Sequence, residues 1–566
     1  MKHFLDILYK RKTLTSAYIF IGVAIAFLNA YSASYLQKVL DGFGYRTLSA
    51  KVILIYGAIL ISTCILNYID EYPNNKLSHG IYLDFKLKAM RKISTIDYSS
   101  YLSLGTGSVI QQVENGASSG KSIVFDFYFQ LLREHIPSVS FSLIFIAAID
   151  KTIMIYILIG YILVFIVTKV LLKYLYSIKS VILNNEENFN KYLVRGFMEF
   201  VVFRVNNKFA KEIEKAEDAA EKIVQSKTKM KMIHEAFFAI FAAFVTIIKI
   251  ILIYISWKED KVSVGAIVAL ITLIDKAYSP IAIFNVIFVQ YKLDKSAFQR
   301  LTNILSMPDD VNLDLGKVIL STNGNVCFKN ISFSYNSKSI FSNLDLKIEA
   351  GSAVALVGES GSGKSTLIKL LLGLVKPEEG KIFIDSYDLS ELRLCKYYNL
   401  ISYTSQESPI FSGTLRENIV FDKEVSDSEI IKAMYQTGLK DFYESLPMGM
   451  DTEVGEKGIM LSGGERQRVA LARVYFSEAK IVILDEATSA LDNITEQVVM
   501  KGLKDFLKYK TIITIAHRLG SIKDYDVIYA FKGGDIVGSG SFDQLICENK
   551  YFKQLWNSEK HKNCSI

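Results

Sequence analysis

Residues 358–366 are Gly358-Glu359-Ser360-Gly361-Ser362-Gly363-Lys364-Ser365-Thr366, a glycine-rich turn. An apolar stretch of strand character precedes the turn at 353–357, and an apolar stretch of helical character follows it at 367–374. Glycines let backbone N–H groups close around anionic oxygens, and a helix N-terminus adds partial positive charge. In such a turn Lys364 reaches the outer phosphates of a nucleotide, and Ser365 can ligate Mg²⁺. The order of strand, turn and helix therefore predicts a phosphate-binding P-loop.

Two acidic residues follow a second apolar stretch, Ile481-Val482-Ile483-Leu484-Asp485-Glu486. On a P-loop fold, the first carboxylate at the end of such a strand belongs beside Mg²⁺. The second belongs beside the attacking water, which it orients or deprotonates. We therefore predict that Asp485 is a metal ligand and that Glu486 is catalytic. The alternative is that the two acids only cap the next helix, and the P-loop upstream argues against it.

A third motif, Leu461-Ser462-Gly463-Gly464-Glu465-Arg466-Gln467-Arg468, opens a predicted helix with a serine and two glycines. This composition also suits an anion at a helix N-terminus. The first phosphate site has no obvious place for it, so the motif indicates a second nucleotide contact.

With these motifs, residues 326–566 resemble the ATP-binding cassette (ABC) family, whose signature motif usually has Gln where this chain has Glu465. The resemblance implies ATP and Mg²⁺ as cofactors. It also implies an adenine-stacking role for Tyr335, and it identifies Gln406 with the Q-loop and His517 with the switch histidine. The nucleotide-binding set that it implies is Tyr335, Gly358, Ser360, Gly361, Gly363, Lys364, Ser365, Thr366, Ser462, Gly463, Gly464, Glu465 and the D-loop residue Asp492. The implied catalytic residues are Glu486, His517 and Gln406, and the implied metal ligands are Ser365, Gln406 and Asp485.

The N-terminal half of the chain has a different character. Half of the 566 residues are apolar, and the mean hydropathy is +0.25. Spanning a membrane takes roughly 20 apolar residues, and the long apolar runs all precede residue 293. They lie at 14–35, 52–68, 137–148, 154–172, 236–257 and 264–289.

The expected fold class is thus a multidomain membrane protein. An all-α transmembrane domain of six spans, with long cytosolic helix extensions, occupies residues 1–307. A linker follows at 308–325, and an α/β P-loop cassette at 326–566, where strand and helix patterns alternate.

Two long intervals between spans, 70–134 and 173–235, are rich in Lys and Arg. This bias predicts that they lie in the cytoplasm together with the N-terminus and the cassette, in a bacterial inner or plasma membrane. The net charge of +7 reflects these membrane flanks, so we expect no nucleic-acid partner. By resemblance, segments 109–115 and 198–206 are the coupling helices that dock on a cassette.

The resemblance also implies a partner. In the family, two cassettes sandwich two ATP molecules, and each site joins the P-loop of one cassette to the signature of the other. This chain has one cassette with Glu486 and the signature intact, which favours a homodimer. Segment 451–458 resembles one that exporters of the family carry. The chain is therefore similar to a half-transporter of the type I exporter fold, working by alternating access.

The cargo is the least defined feature. Lys249 and Asp275 lie inside apolar runs, where charges are costly, so they either neutralise each other or line the substrate path. Polar and aromatic residues in the first two spans fit a cavity of mixed polarity: Asn29, Tyr31, Ser32, Tyr35, Asn67 and Tyr68. We expect an amphipathic substrate, with a peptide or peptide-derived natural product of bacteriocin type first. A lipid or lipid-linked sugar moved by a flippase comes second, and a hydrophobic drug third.

Two other classes are open alternatives. An ATP-gated channel or regulatory ABC protein would use the cassette to control conformation, but the complete hydrolytic set argues against it. A soluble ABC ATPase acting on ribosomes or DNA leaves the six apolar runs unexplained.

Overall fold

The computed structural model describes residues 2–104, 106–259, 262–335, 338–421, 423–455, 461–516 and 518–563. The chain forms two compact units. The membrane unit comprises Met1–Ser94 and Leu104–Met307, and the cassette unit comprises Thr95–Ser103 and Pro308–Ile566.

Helices make up the described part of the membrane unit. They are α1 (Lys2–Lys10), α2 (Lys12–Gly44), α3 (Ala50–Ile93), α4 (Tyr98–Leu104, mostly within the cassette unit), α5 (Thr106–Ser122), α6 (Ile136–Ile149), α7 (Lys151–Met198), α8 (Phe200–Val205), α9 (Phe209–Glu259) and α10 (Val264–Leu305). Two π-helical segments, Ile123–Phe129 and Leu131–His135, lie between α5 and α6.

Five described helical stretches are long and apolar enough to cross a membrane: Lys12–Gly44, Ala50–Ile93, Val109–Ile149, Phe209–Lys258 and Val264–Leu305. The remaining predicted span, 154–172, falls in α7, where the side chains of 161 and 163–173 lie outside the described residues. The third predicted span, 137–148, is the end of a longer helical stretch, Val109–Ile149. The predicted span began too late because charged residues upstream interrupt the apolar pattern.

Arg133 is one of those charged residues, and its charge is paired within the membrane unit. Its guanidinium forms an ion pair with Asp70 of α3. It also donates to the Tyr18 hydroxyl of α2 at 2.7 Å, with its guanidinium carbon 3.9 Å from the centre of the Tyr18 ring. Gly22 packs directly against Arg133, where a Cβ would collide with its side chain. A buried charge paired in this way does not prevent the helix from lying in the bundle.

The N-terminal helix α1 and the residue after it contact α3 and α10 through ion pairs and aromatic rings. The buried Asp84 carboxylate accepts hydrogen bonds from Lys10 at 2.9 Å and from Arg11 at 2.7 Å. Phe4 stacks on Phe298 of α10 with the ring centroids 4.4 Å apart. These contacts hold the C-terminal parts of α3 and α10 beside the N-terminus.

The segment that packs with the cassette lies earlier than the predicted docking segment 109–115. Residues 109–115 belong to α5 in the membrane unit, whereas Thr95–Ser103 belongs to the cassette unit. Thr95 donates to Asp309 at 2.6 Å, and the Asp97 backbone N–H donates to the Pro308 carbonyl at 3.2 Å. The second predicted docking segment, 198–206, contains α8.

The described part of the cassette unit is α/β, as predicted. Its strands are β1 (Val326–Tyr335), β2 (Lys338–Ile348), β3 (Ala353–Gly358), β4 (Glu379–Ile384), β5 (Tyr387–Asp388), β6 (Ile401–Thr404), β7 (Gly413–Thr414), β8 (Glu453–Val454), β9 (Ile481–Asp485), β10 (Thr511–Ile515), β11 (Val527–Lys532) and β12 (Asp535–Gly540). Its further helices are α11 (Val311–Asp314), α12 (Lys364–Leu371), α13 (Leu394–Tyr397), α14 (Leu415–Val420), α15 (Asp427–Gln436), α16 (Lys440–Ser445), α17 (Gly463–Tyr475), α18 (Asn493–Phe506), α19 (Phe542–Glu548) and α20 (Lys550–Asn563).

A six-stranded sheet in the order β12-β11-β3-β10-β9-β6 forms the centre of this unit. Its strands pair in parallel from β11 to β6, and β12 runs antiparallel at the edge. Strands β9 and β10 are buried along their whole length, as expected for parallel strands covered on both faces. A four-stranded sheet, β2-β1-β4-β5, and the pair β7-β8 complete the described strands.

Removing the Asp84 carboxylate should destabilise the membrane unit. Asp84→Ala leaves Arg11 and Lys10 without their shared partner, and we expect a loss of about 1 to 3 kcal/mol, discounted from a fully buried pair. The measurement is the apparent Tm of the detergent-solubilised full chain.

Asp6→Ala is the matched control, because it removes one partner of the more exposed pair between Asp6 and Lys88. Exposed pairs contribute about 0 to 1 kcal/mol, so its Tm should stay close to that of the parent protein. Equal losses for the two variants would contradict a special role for Asp84.

Candidate functional site

The site lies where parallel strands of the central sheet end. Strands β3, β10, β9 and β6 are consecutive neighbours, so their carboxyl ends lie along one edge, the usual position of ligand sites in such sheets. The P-loop follows β3, Asp485 ends β9, and Gln406 comes two residues after β6. The predicted His517 follows β10 but lies outside the described residues.

The P-loop has the backbone that its glycines predict. Gly358 and Gly363 have φ of +147° and +103°, which side chains rarely tolerate. A Cβ on Gly363 would also lie 2.7 Å from the Phe341 ring. Ser360 and Gly361 form the turn, and Ser365 and Thr366 lie in the first turn of α12.

Lys364 is hydrogen-bonded within the loop and lies within electrostatic range of the two acidic residues. Its buried ammonium donates to the carbonyls of Gly358 at 2.8 Å and Glu359 at 2.9 Å. Burial lowers the pKa of Lys364, while the charges of Glu486 and Asp485 oppose that shift. The two carboxylates are therefore close enough to the lysine to act on it electrostatically.

Asp485 is a buried carboxylate whose surroundings favour a cation. Burial and the neighbouring Glu486 raise its pKa, against the opposing effects of Tyr403, Lys369 and Lys364. A nearby cation would offset the cost of ionising such a group. Mg²⁺ prefers hard oxygen donors. The site offers three: the Asp485 carboxylate, the exposed Ser365 hydroxyl and the Gln406 amide oxygen. The donor set present here therefore fits Mg²⁺.

Glu486 is held in an uncommon conformation. Its φ is +51°, a region that few residues other than glycine occupy and that often marks functional sites. Its backbone N–H donates to the Ile515 carbonyl of β10 at 3.2 Å. The Gln406 side-chain amide donates to the Glu486 carboxylate at 2.7 Å. The structure thus brings Gln406 and Glu486 into direct contact.

The signature segment begins α17 with a capping box. Ser462 is the N-cap residue, and Gly463 and Gly464 are the first two residues of the helix. The Glu465 backbone N–H donates to the Ser462 hydroxyl at 3.3 Å, and the Ser462 N–H donates to the Glu465 carboxylate at 2.6 Å. This contact accounts for Glu465, since Glu and Gln both serve at this position of the box.

Gln467 joins the signature to the D-loop, a role that the sequence analysis missed. Its side chain donates to the Ser489 hydroxyl at 2.9 Å and accepts from the Ala490 N–H at 2.8 Å. Asp492, the predicted D-loop residue, is exposed and accepts from the Thr495 N–H at 3.0 Å. A polar residue on the apolar face of α17 was the available signal for Gln467.

Glu496 was also missed. It is buried, accepts from Thr488 at 2.8 Å and binds Arg518 at 2.9 Å. It therefore ties the segment after β9 to the segment after β10. Tyr335 lies at the end of β1 with its ring edge-to-face on Phe333. Within the described residues, its buried hydroxyl has no hydrogen-bond partner.

Apolar spans joined to a P-loop unit, with a second helix that opens on a serine and two glycines, indicate an ATP-powered membrane transporter. Two family matches agree with this class. Residues 15–277 match the ABC transporter transmembrane region, and residues 341–489 match the ABC transporter cassette. The chain belongs to the ABC transporter family and is an integral membrane protein that hydrolyses ATP.

Two of the similar proteins span most of the chain, and a third matches less than half of it. A protein of Rickettsia prowazekii described as an export ATP-binding/permease protein is 29% identical over 520 residues, 89% of each chain. The mitochondrial iron-sulfur clusters transporter ATM1 of Candida albicans is 41% identical over 244 residues, 42% of this chain and 32% of that protein. A bacterial Atm1-family ABC exporter with ATP bound has the same fold, with a TM-score of 0.81, 23% identity and coverage of 98% and 99%. The fold is therefore that of an ABC exporter.

Removing the Glu465 carboxylate should weaken the start of α17. Glu465→Ala loses half of the capping box and should lower the stability of the cassette by about 0.3 to 1.5 kcal/mol. Glu465→Gln keeps an acceptor oxygen and should retain most of that stability. The apparent Tm and ATP hydrolysis rate of the full chain measure both effects. A larger loss for Gln than for Ala would contradict the capping role.

Proposed function

We propose that this chain exports an amphipathic substrate by alternating access, driven by ATP, as a homodimer. The contact between Gln406 and Glu486, beside Asp485 and the P-loop, carries this proposal. It joins the predicted sensor of the nucleotide to the predicted catalytic carboxylate.

Each residue of the site has a role in this scheme. The loop amides and Lys364 bind the β- and γ-phosphates, and Tyr335 stacks on adenine. Ser365, Gln406 and Asp485 hold Mg²⁺, which neutralises phosphate charge when it is bound. Glu486 accepts the proton of the attacking water, and Gln406 keeps its carboxylate in place. His517 serves as the switch residue.

A second copy of the chain completes each site. The signature residues Ser462–Glu465 would contact the nucleotide bound to the P-loop of the partner. Three nucleotide-site elements, the P-loop, Glu486 and the signature, are all present in this chain, so two identical copies form two equivalent sites.

The exposed surface of α8 supports this assembly. Apolar side chains dominate the helix and the residues before it, and many are more than half exposed: Phe197, Met198, Val201, Val202 and Val205. Contiguous exposed apolar residues of this kind mark an interaction surface. We infer that α8 docks on a cassette, as the resemblance to the family implies.

The basic cytosolic intervals support a cytoplasmic cassette and N-terminus in a bacterial plasma membrane. Membrane lipid surrounds the spans. Nothing in the charge distribution calls for nucleic acid.

The cargo proposal rests on the membrane unit. Aromatic rings line one side of α2, where Phe27 stacks on Tyr31 and Tyr31 contacts Tyr35. Lys249 pairs with Asp275 at 2.5 Å, and the Asp275 side chain is 57% exposed, so one charge of the pair remains accessible. Aromatic and charged groups together suit an amphipathic peptide or peptide-derived product. A hydrophobic drug would use the rings alone, whereas the phosphate of a lipid or lipid-linked sugar could also pair with Lys249, so these cargoes remain the alternatives.

Uptake into inside-out vesicles tests the function. We expect ATP-dependent accumulation of a fluorescently labelled amphipathic peptide, and its loss in Glu486→Gln, which still binds ATP. Labelled phospholipid and a hydrophobic dye form separate arms. Ion conductance without accumulation of any probe would overturn the transporter proposal in favour of a channel.

The same assay tests the dimer. If each unit needs two intact sites, equal amounts of parent and Glu486→Gln chains give about one quarter of the uptake rate. Independent single chains, or a dimer whose two sites work independently, would give one half, and that result would contradict a dimer that needs both sites intact.

Lys249→Leu should impair transport more than ATP hydrolysis. It leaves Asp275 unpaired in the spans, so we expect uptake to fall about tenfold while basal hydrolysis changes less than about twofold. Lys249→Leu/Asp275→Leu is the matched variant, because it removes both charges. Recovery of uptake in this double variant would show a purely structural pair, whereas continued loss supports a role in the cargo path.

A further inference from the structure

Tyr403 occupies a position beside the metal-binding end of β9. It is the third residue of β6, which pairs in parallel with β9 so that Tyr403 lies opposite Ile483. Its hydroxyl reaches beyond the end of that register to the Asp485 carboxylate, at 3.4 Å from Oδ2. The side chain is 44% exposed, so packing alone does not hold it there.

The contact with Tyr403 is a hydrogen bond to the Asp485 carboxylate. Its carboxylate is buried, yet within the described part of the chain the Tyr403 hydroxyl is the one group that hydrogen-bonds it. Glu486, Lys364 and Lys369 act on it only through space. A buried carboxylate with a single hydrogen bond keeps most of its lone pairs available for a cation.

The Tyr403 hydroxyl can orient the Asp485 carboxylate, but it carries no charge that would neutralise it. At 3.4 Å it is longer than a typical O–H···O bond of about 2.7 to 2.8 Å, and such contacts often shorten when a site is loaded. A phenol has an ordinary pKa of about 10 and is protonated near neutral pH, so the Tyr403 hydroxyl donates this hydrogen bond.

We propose that Tyr403 is a positioning residue for the magnesium site, because its hydroxyl turns the Asp485 carboxylate toward the bound metal. The proposal rests on the assignment of Asp485 as a magnesium ligand. It predicts that losing the hydroxyl weakens metal binding without weakening the binding of the nucleotide itself.

The experiment measures metal and nucleotide separately on the full chain in detergent. A fluorescent ATP analogue is titrated in EDTA, and then Mg²⁺ is titrated at a fixed concentration of the analogue. We expect Tyr403→Phe to bind the analogue normally in EDTA and to raise the half-saturating Mg²⁺ concentration about threefold to tenfold, the range for one lost hydrogen bond. Excess Mg²⁺ should restore ATP hydrolysis.

Tyr387→Phe is the matched control, because Tyr387 is also 44% exposed and lies on another strand of the same unit. Its Mg²⁺ midpoint should equal that of the parent protein. An unchanged midpoint in Tyr403→Phe, or an equal loss of analogue binding in EDTA, would overturn the proposal.

Asp485→Asn tests the assignment of Asp485 as a metal ligand separately from the role of Tyr403. If this variant leaves the Mg²⁺ midpoint unchanged, the assignment of Asp485 itself fails. If it abolishes the Mg²⁺ response while Tyr403→Phe behaves like the parent protein, only the role of Tyr403 fails. Mn²⁺ binding followed by electron paramagnetic resonance gives a second readout that needs no turnover.

Discussion

The parallel pairing of four strands is the constraint on which the candidate site depends. Ile515 of β10 lies opposite both Leu356 of β3 and Asp485 of β9, so three strand ends lie side by side. This register aligns the P-loop with the acidic pair and lets Lys364 and Asp485 influence each other's ionisation. Slipping one strand by a residue would reverse the faces of its side chains and separate these groups.

The two units handle charge in opposite ways. In the membrane unit, charged side chains in apolar helices have partners, as Arg133 has in Asp70 and Lys249 in Asp275. In the cassette, burial and the charge of Glu486 raise the pKa of Asp485, and a nearby cation would offset the cost of ionising that carboxylate. Pairing lowers the cost of burying charges in the membrane unit, whereas the acidic residues of the cassette favour the binding of a cation.

The sequence analysis succeeded where the signal is local. Strand β9 is a five-residue buried run, and the P-loop needs its glycines at fixed spacing, so both could be predicted from consecutive residues. The prediction missed β12, which has two large apolar residues in six, and it missed β2, although the second half of β2 alternates buried apolar and exposed polar residues. It also missed Gln467 and Glu496, because their partners lie on other segments of the chain and no spacing rule connects them.

The cassette unit is built from two pieces of chain, Thr95–Ser103 and the residues from Pro308 onward. Roughly 200 residues separate the two pieces. A ribosome needs on the order of 10 to 40 seconds to synthesise that stretch. The first piece therefore emerges long before residues 308–310, with which it forms hydrogen bonds. Folding of the cassette during synthesis must wait for the membrane helices to be made, which links the biogenesis of the two units in time.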